Sequence, residues 1–197
     1  KLKTGTIEIE GKSFILLAKA KELPFDLSKE NLDVTLPVLL DYRSLTLRHP
    51  KVQAIFKVQE TIIQTFRSTM KNLNFTEFQA PTMVATATEG GAEVFPIKYF
   101  DHTAYLAQSP QFYKQIMVSI FEKVFTIAHA YRAEPSVTTR HLTEYIGLDV
   151  EMGFIDSWTD LMDAAEYLVK EIFKAVKEKH QDVLSLFNID VPQIKNK

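Results

Sequence analysis

Two stretches of this chain place polar and charged side chains in patterns that chemistry can use. The first is QSPQFYKQ at residues 108–115. Ser109 and Pro110 suit the N-cap and first position of a helix, and Ile116, Met117 and Ile120 give that helix an apolar face. Gln111 and Lys114 are then three apart and share a face of the first turns. An ammonium there opposes the positive end of the helix dipole, so it calls for an anion, and a carboxylate on a bound molecule would serve. A lone surface lysine ordinarily finds water or a neighbouring glutamate instead. The string around Lys114 sets it apart.

The second stretch, AYRAEPSVTTRHLTEYIGLDVEM at 130–152, reads as strand, loop, strand. Period-two alternation over 124–134 sends Phe125, Ile127, His129 and Tyr131 to one face, and Thr126, Ala128, Ala130, Arg132 and Glu134 to the other. Over 143–152, Ile146, Leu148, Val150 and Met152 share a face, with Tyr145, Gly147, Asp149 and Glu151 opposite. An antiparallel pair would present Arg132, Glu134, Tyr145, Asp149 and Glu151 above a floor opened by Ala128, Ala130 and Gly147. An arbitrary exposed sheet face with alternating charge reads in much the same way. A small floor under groups of both signs nonetheless suits a nucleotide and an amino acid together.

The elements that must position these groups are legible from periodicity. Residues 51–73 carry Val52, Ile55, Phe56, Ile62, Ile63, Phe66, Met70 and Leu73 at helical spacing, which predicts a long helix with a mostly buried stripe. The run FTEFQAP at 75–81 follows as a strand, and Asn74 between them tolerates a left-handed turn. Residues 31–50, with Pro37, read as a connector containing a short helical turn. Residues 157–187 form a second amphipathic helix, with Leu161, Ala164, Ala165, Leu168, Ile172, Phe173 and Val176 on one face. Ser157 and Asp160 sit there as an N-cap and an acidic third residue. In ATEGGAEVFPIKYF at 87–100, Gly90 and Gly91 permit a turn before a strand. Residues 4–25 look like two short strands around Gly11, ending at Pro24. Two strands alone cannot bury a face, so a partner sheet is expected upstream of Lys1.

Composition narrows the classes. At 197 residues with 46% hydrophobic and 24% charged content, the chain is that of an ordinary globular protein. No apolar run reaches the roughly 20 residues of a membrane span, so a cytoplasmic protein is expected. The lack of cysteine excludes disulfides and thiolate metal sites. The histidines at 49, 102, 129, 141 and 180 show no metal-ligand spacing, and no Ser, His, Asp order suggests a hydrolase. A net charge of -2 does not exclude nucleic acid, because a basic patch can hide in a neutral total.

The strings QSPQ with Lys114, RAE, RHLTE and LDVEM, in this order and spacing, resemble the class II aminoacyl-tRNA synthetases, most closely the aspartyl type. That resemblance implies an α+β fold with an antiparallel sheet flanked by helices. It implies activation of aspartate with ATP and magnesium and transfer to tRNA. Ser109, Gln111 and Lys114 would contact the amino acid, Glu89 of the EGGA loop would face it, and Asp149 would take its ammonium. Arg132 would stabilise the α-phosphate as catalytic residue and Tyr145 would stack on adenine. Glu134 would lie near the adenine amino group, with Arg140 and His141 in the loop between the strands. The long helix and strand ending at Pro81 resemble motif 1, which implies a homodimer. Residues 1–27 resemble the end of an anticodon-binding β-barrel and its hinge, and 28–197 a partial catalytic domain with motifs 1 and 2.

Motif 3 and the acidic magnesium-binding region of that family have no counterpart, since no glycine follows Gly153. The magnesium ligands are therefore expected in a further C-terminal part, and this polypeptide is not expected to complete adenylation alone. An asparaginyl-tRNA synthetase is disfavoured by Lys114, whose ammonium a neutral amide would leave without a charge partner. A synthetase-derived asparagine synthetase is disfavoured by the apparent barrel remnant. A non-catalytic dimerising module is disfavoured by the complete set of pocket residues.

Overall fold

The computed structural model describes residues 5, 7–90, 93–135, 138 and 141–194. The chain divides into two compact units, Lys1–Val52 and Gln53–Lys197.

In the first unit, the described residues up to Val34 form neither helix nor strand. The two strands expected around Gly11 are not formed, and Ile9 and Phe14 stand 88% and 92% exposed. A strand needs a neighbour for its N–H and C=O groups, and no described residue offers one. The connector holds two short helices where one turn was expected, α1 (Leu36–Asp41) and α2 (Arg43–Thr46). Pro37 falls in the first turn of α1, where its missing N–H costs nothing. Thr46 Oγ1 donates to Leu39 O at 2.9 Å. Buried His49 accepts from the Lys51 N–H on Nδ1 (3.2 Å), which leaves Nε2 to donate to Lys29 O at 2.9 Å.

The second unit is built on α3 (Pro50–Asn72). Its C-terminal half buries Phe66 and Met70 in a core completed by Phe75 and Phe125, with Leu73, Ile127, Val150, Met152 and Leu168 against it. Phe66 and Phe125 meet edge to face with centroids 5.4 Å apart, an arrangement worth about 0.5–1.5 kcal/mol beyond the area they bury. The N-terminal half departs from the expected stripe, because Ile55 and Phe56 are exposed. Asn74 turns the chain with φ 64°.

The strand then expected over 75–81 shortens to β1 (Thr76–Glu77). It runs parallel to β5 (Lys123–Tyr131) in the register Thr76↔Val124 and Glu77↔Phe125, and Phe78 N–H extends the contact to Phe125 O at 3.0 Å. Pro81, which has no N–H, lies beyond the ladder and is exposed. Strand β5 pairs antiparallel along its whole length with β6 (Glu144–Met152), giving the sheet order β1-β5-β6. A second sheet, β2-β4-β3, joins β2 (Met83–Val84), β3 (Pro96–Tyr99) and β4 (His102–Leu106), all antiparallel. The β3–β4 hairpin turns at exposed Phe100, φ 55°.

Between β4 and β5 lies α4 (Gln111–Phe121). It begins one residue later than expected, with Pro110 at the N-cap, and Ser109 Oγ accepts from the Gln111 N–H at 3.2 Å. The expected apolar face is also displaced. Ile116 and Ile120 point to solvent, and the one buried residue of this helix is Lys114.

The helix expected over 157–187 is two, α5 (Trp158–Lys179) and α6 (Gln181–Phe187), broken at His180. His180 Nε2 lies 2.7 Å from Thr61 Oγ1 of α3. The start of α5 is a complete capping box, in which the Asp160 carboxylate accepts from the Ser157 N–H at 3.1 Å. Aspartate thus does the work usually given to Glu or Gln at this position.

Candidate functional site

The β5–β6 hairpin is the base of the site. Its register sets Thr126 opposite Asp149, Ala128 opposite Gly147 and Ala130 opposite Tyr145, which brings together the two faces that alternation predicted. Lys114 of α4 reaches down onto this floor. Its Nζ lies 3.0 Å from Asp149 Oδ1 and 3.6 Å from Glu151 Oε2. The residue is only 9% exposed. An ammonium so far out of water is tolerated only when paired, and the chain itself supplies the pairing. The anion expected from a bound molecule is thus provided, in this structure, by two carboxylates of β6.

At the other end of the hairpin Arg132 continues the ladder, its N–H donating to Thr143 O at 3.0 Å. The guanidinium lies 5.7 Å from the centre of the Tyr145 ring and 3.4 Å from Glu89 Oε2. Arg132, Glu134, His141, Leu142 and Tyr145 line an open cleft of about 420 Å³. His141 is held by Thr138, whose Oγ1 accepts from the His141 N–H at 3.1 Å and lies 2.7 Å from its Nδ1. Of the residues expected in these two loops, Arg140 and Gly91 lie outside the described residues, as do 92, 136, 137 and 139.

Two buried polar atoms, Thr126 Oγ1 and Arg132 Nε, have no hydrogen-bond partner among the described residues. By the alternation of β5 both belong to the face that carries Ala128 and Ala130. Leaving such a group unmet costs about 1–3 kcal/mol. The Arg132 guanidinium is a planar cation beside an aromatic ring, able to hydrogen-bond an anionic group through two N–H groups at once.

One feature of the site escaped sequence reasoning. Gln108 is completely buried, and its Oε1 accepts from both the Thr88 N–H (3.1 Å) and the Glu89 N–H (3.0 Å). Thr88 Oγ1 accepts in return from the Gln108 N–H (3.2 Å) and the Ser109 N–H (3.4 Å). This reciprocal latch ties the loop that carries Glu89 to the start of α4. The available signal was the pair Gln108-Ser109, two hydrogen-bonding side chains directly before a helix start.

The other face of the hairpin is separate in character. His129 Nδ1 lies 3.0 Å from Glu144 Oε1, and the His129 and Tyr131 rings stack with centroids 6.4 Å apart. Burial, and then a hydrogen bond to Glu144, push the Tyr131 phenol above its ordinary value. A concavity of about 650 Å³ between the end of α5, α6 and the following tail gathers no comparable set of converging charges. Among the described residues no group of three or more His, Asp or Glu side chains could hold a metal ion. The described residues therefore do not fit a magnesium site. No helix among the described residues is long and apolar enough to cross a membrane.

Comparison with known proteins bears on this arrangement. The profile of the family tRNA synthetases class II (D, K and N) matches residues 35–197. The chain is 42% identical over 191 residues to the aspartate–tRNA(Asp/Asn) ligase of Deinococcus radiodurans, which covers 96% of the chain and 44% of that relative. It is 41% identical over 196 residues to the aspartate–tRNA(Asp) ligase of Pyrococcus furiosus, covering 99% of the chain and 44% of the relative. Among solved structures it resembles asparaginyl-tRNA synthetase from Pyrococcus horikoshii complexed with asparaginyl-adenylate. That match has a TM-score of 0.73 and 36% identity, over 89% of this chain and 42% of the other. It also resembles aspartyl tRNA synthetase from Entamoeba histolytica, with a TM-score of 0.65 and 32% identity over 84% and 30% of the two chains. The chain thus spans less than half the length of the relatives it matches.

Proposed function

The chain belongs to the class II tRNA synthetases of the D, K and N group, and on that footing we propose that it is the substrate-binding part of an aspartate–tRNA ligase. The observation that carries this reading is Lys114, a buried ammonium flanked by Asp149 and Glu151 on the floor of a hairpin whose far end is the Arg132–Tyr145 cleft. One end offers charges of both signs to an amino acid, and the other offers a cation and a ring to a nucleotide.

Lys114, with Ser109 and Gln111 at the start of the same helix, holds the side-chain carboxylate of aspartate. Asp149, released from Lys114 as that carboxylate arrives, takes the substrate ammonium, and Glu89 faces the same place. The α-carboxylate attacks the α-phosphorus of ATP, its bond forms as the bond to pyrophosphate breaks, and no covalent enzyme intermediate is needed. Arg132 stabilises the charge that builds on the phosphate, in a site where fixed donors count for more than in water. Tyr145 stacks on adenine, Glu134 lies near its amino group, and Arg140 and His141 complete the nucleotide side. The adenylate then passes its aspartyl group to tRNA.

The remaining length of the relatives would supply the magnesium ligands. Residues 1–27 are assigned to the end of an anticodon-binding barrel, and the protein to the cytoplasm. Exposed Ile55 and Phe56 of α3, with Pro81, support a homodimer contact. A second reading, asparagine as substrate, is favoured by the internal pairing of Lys114, which a neutral amide would leave undisturbed. Pyrophosphate exchange by the whole protein that carries this sequence, supplied in turn with aspartate, asparagine and lysine, separates the readings. Exchange with aspartate alone is expected; exchange with asparagine alone would replace the first reading by the second, and none at all would end both.

A further inference from the structure

The geometry points to Gly147 as a specificity-determining residue of this site, because the absence of its side chain is what lets Asp149 engage Lys114. The two oxygens of the Asp149 carboxylate lie in different surroundings. Oδ1 meets Lys114 Nζ at 3.0 Å, while Oδ2 folds back along β6 over the Gly147 backbone. A Cβ placed on Gly147 would lie 2.5 Å from that Oδ2, well inside contact distance. The other neighbours of such a Cβ are at ordinary separations, Asp149 Cγ at 3.7 Å and Ala128 O at 3.8 Å. Gly147 lies inside a regular strand, paired with Ala128, and does not adopt the left-handed backbone that only glycine favours. Neither the turn chemistry nor the packing of the strand demands glycine here; the seating of one carboxylate does.

A side chain at this position would be accommodated by rotation of Asp149, the far end of a flexible group, and not by movement of the sheet. Lys114 would then keep Glu151, at 3.6 Å, as its remaining described carboxylate. The size of residue 147 thus selects which β6 carboxylate governs the lysine, and with it whether a ligand's own carboxylate and ammonium can exchange partners with the Lys114–Asp149 pair. This deepens the reading of the face as an amino-acid site and rests on it. Gly147 acts through Asp149 and is a positioning residue.

The test has two independent readouts on the full chain. The first is a double-mutant cycle of Lys114→Met and Asp149→Asn followed by thermal unfolding, carried out with Gly147 intact and again with Gly147→Ala. Non-additive shifts in the first background and additive shifts in the second are expected. Undiminished coupling in the Gly147→Ala background would overturn the proposal. The combination Gly147→Ala with Asp149→Ala, in which the collision is gone, keeps the midpoint of Asp149→Ala alone; a further drop would show that glycine is needed for the strand itself and also overturn it. The second readout is calorimetric titration with L-aspartate and with ATP. Gly147→Ala weakens aspartate at least tenfold and leaves ATP unchanged; equal loss of both, or loss of neither, counts against the proposal. Should the unsubstituted chain fail to bind aspartate, the amino-acid reading falls, and the mutant cycle alone still decides what Gly147 does to Asp149.

Discussion

Strand β5 and the stretch at residues 7–17 are both rich in alternating apolar side chains, yet they differ in what surrounds them. Strand β5 has β1 on one side and β6 on the other, and Val124, Phe125 and Thr126 are wholly buried in succession. Residues 7–17 have no ladder partner among the described residues, and Ile7, Ile9, Phe14, Ile15, Leu16 and Leu17 are all exposed. A strand is therefore a property of its neighbours, and alternation announces only a willingness to pair. The same holds for the site. Its charges are well defined because opposite charges and a closed ladder surround them.

The comparison can be broken most severely at its centre. Phe125→Ala removes a ring from the core beside Phe66 and is expected to cost about 3–5 kcal/mol, whereas Phe14→Ala stays within about 0.5 kcal/mol. Urea unfolding of both variants measures the contrast, and equal losses would refute it. Lys114→Met comes next. It leaves Asp149 and Glu151 facing an apolar group, at a cost of about 1–3 kcal/mol with an accompanying loss of aspartate binding. An unchanged unfolding midpoint would mean that the pair contributes nothing.

Gln108→Ala opens the latch at a cost of about 1–2 kcal/mol. Its sharper signature is local, faster amide hydrogen exchange at Thr88 and Glu89, with the β5–β6 amides unaffected. The smallest effect belongs to the exposed unit. The Ser28 hydroxyl, and then the Ser28 N–H, donate to Asp26 and hold its carboxyl below the usual value. A depressed carboxyl stabilises the fold above its unfolded value and loses that contribution as pH falls through its folded value. Ser28→Ala should bring the Asp26 titration, followed by NMR, back toward the ordinary value with hardly any change in stability.

Much of this was legible in the residues. The two faces of β5 and β6, and the placing of Arg132 and Tyr145 on one of them, follow from period-two alternation, because a paired strand admits only one other facing; the register itself does not, since a slip of two residues keeps the same faces. Helices were less readable at their ends and sides. The break at His180 is fixed by a partner far away in sequence, Thr61. The outward turn of Ile116 and Ile120 follows from the ionic contact that draws Lys114 inward, which no apolar pattern reveals. The partners of Lys114 were invisible for the same reason, since Asp149 is brought to it by the sheet and not by spacing along the chain. Thr88 and Gln108 show no periodicity at all; their pairing exists only once two separate segments meet.

The single parallel pairing, β1 with β5, has a consequence for connectivity. Four elements, β2, β3, β4 and α4, separate its two strands, so Glu89, the latch and Lys114 all travel on one long excursion that leaves the main sheet and returns to it. Closing so large a loop costs entropy that grows only with the logarithm of its length, about 0.6 kcal/mol for each doubling. The β3–β4 turn at Phe100, exposed and outside the latch, is therefore where the excursion can be lengthened at little cost. A short glycine-serine insertion there should leave the unfolding midpoint nearly unchanged, and a collapse of the fold would show that the excursion is held taut.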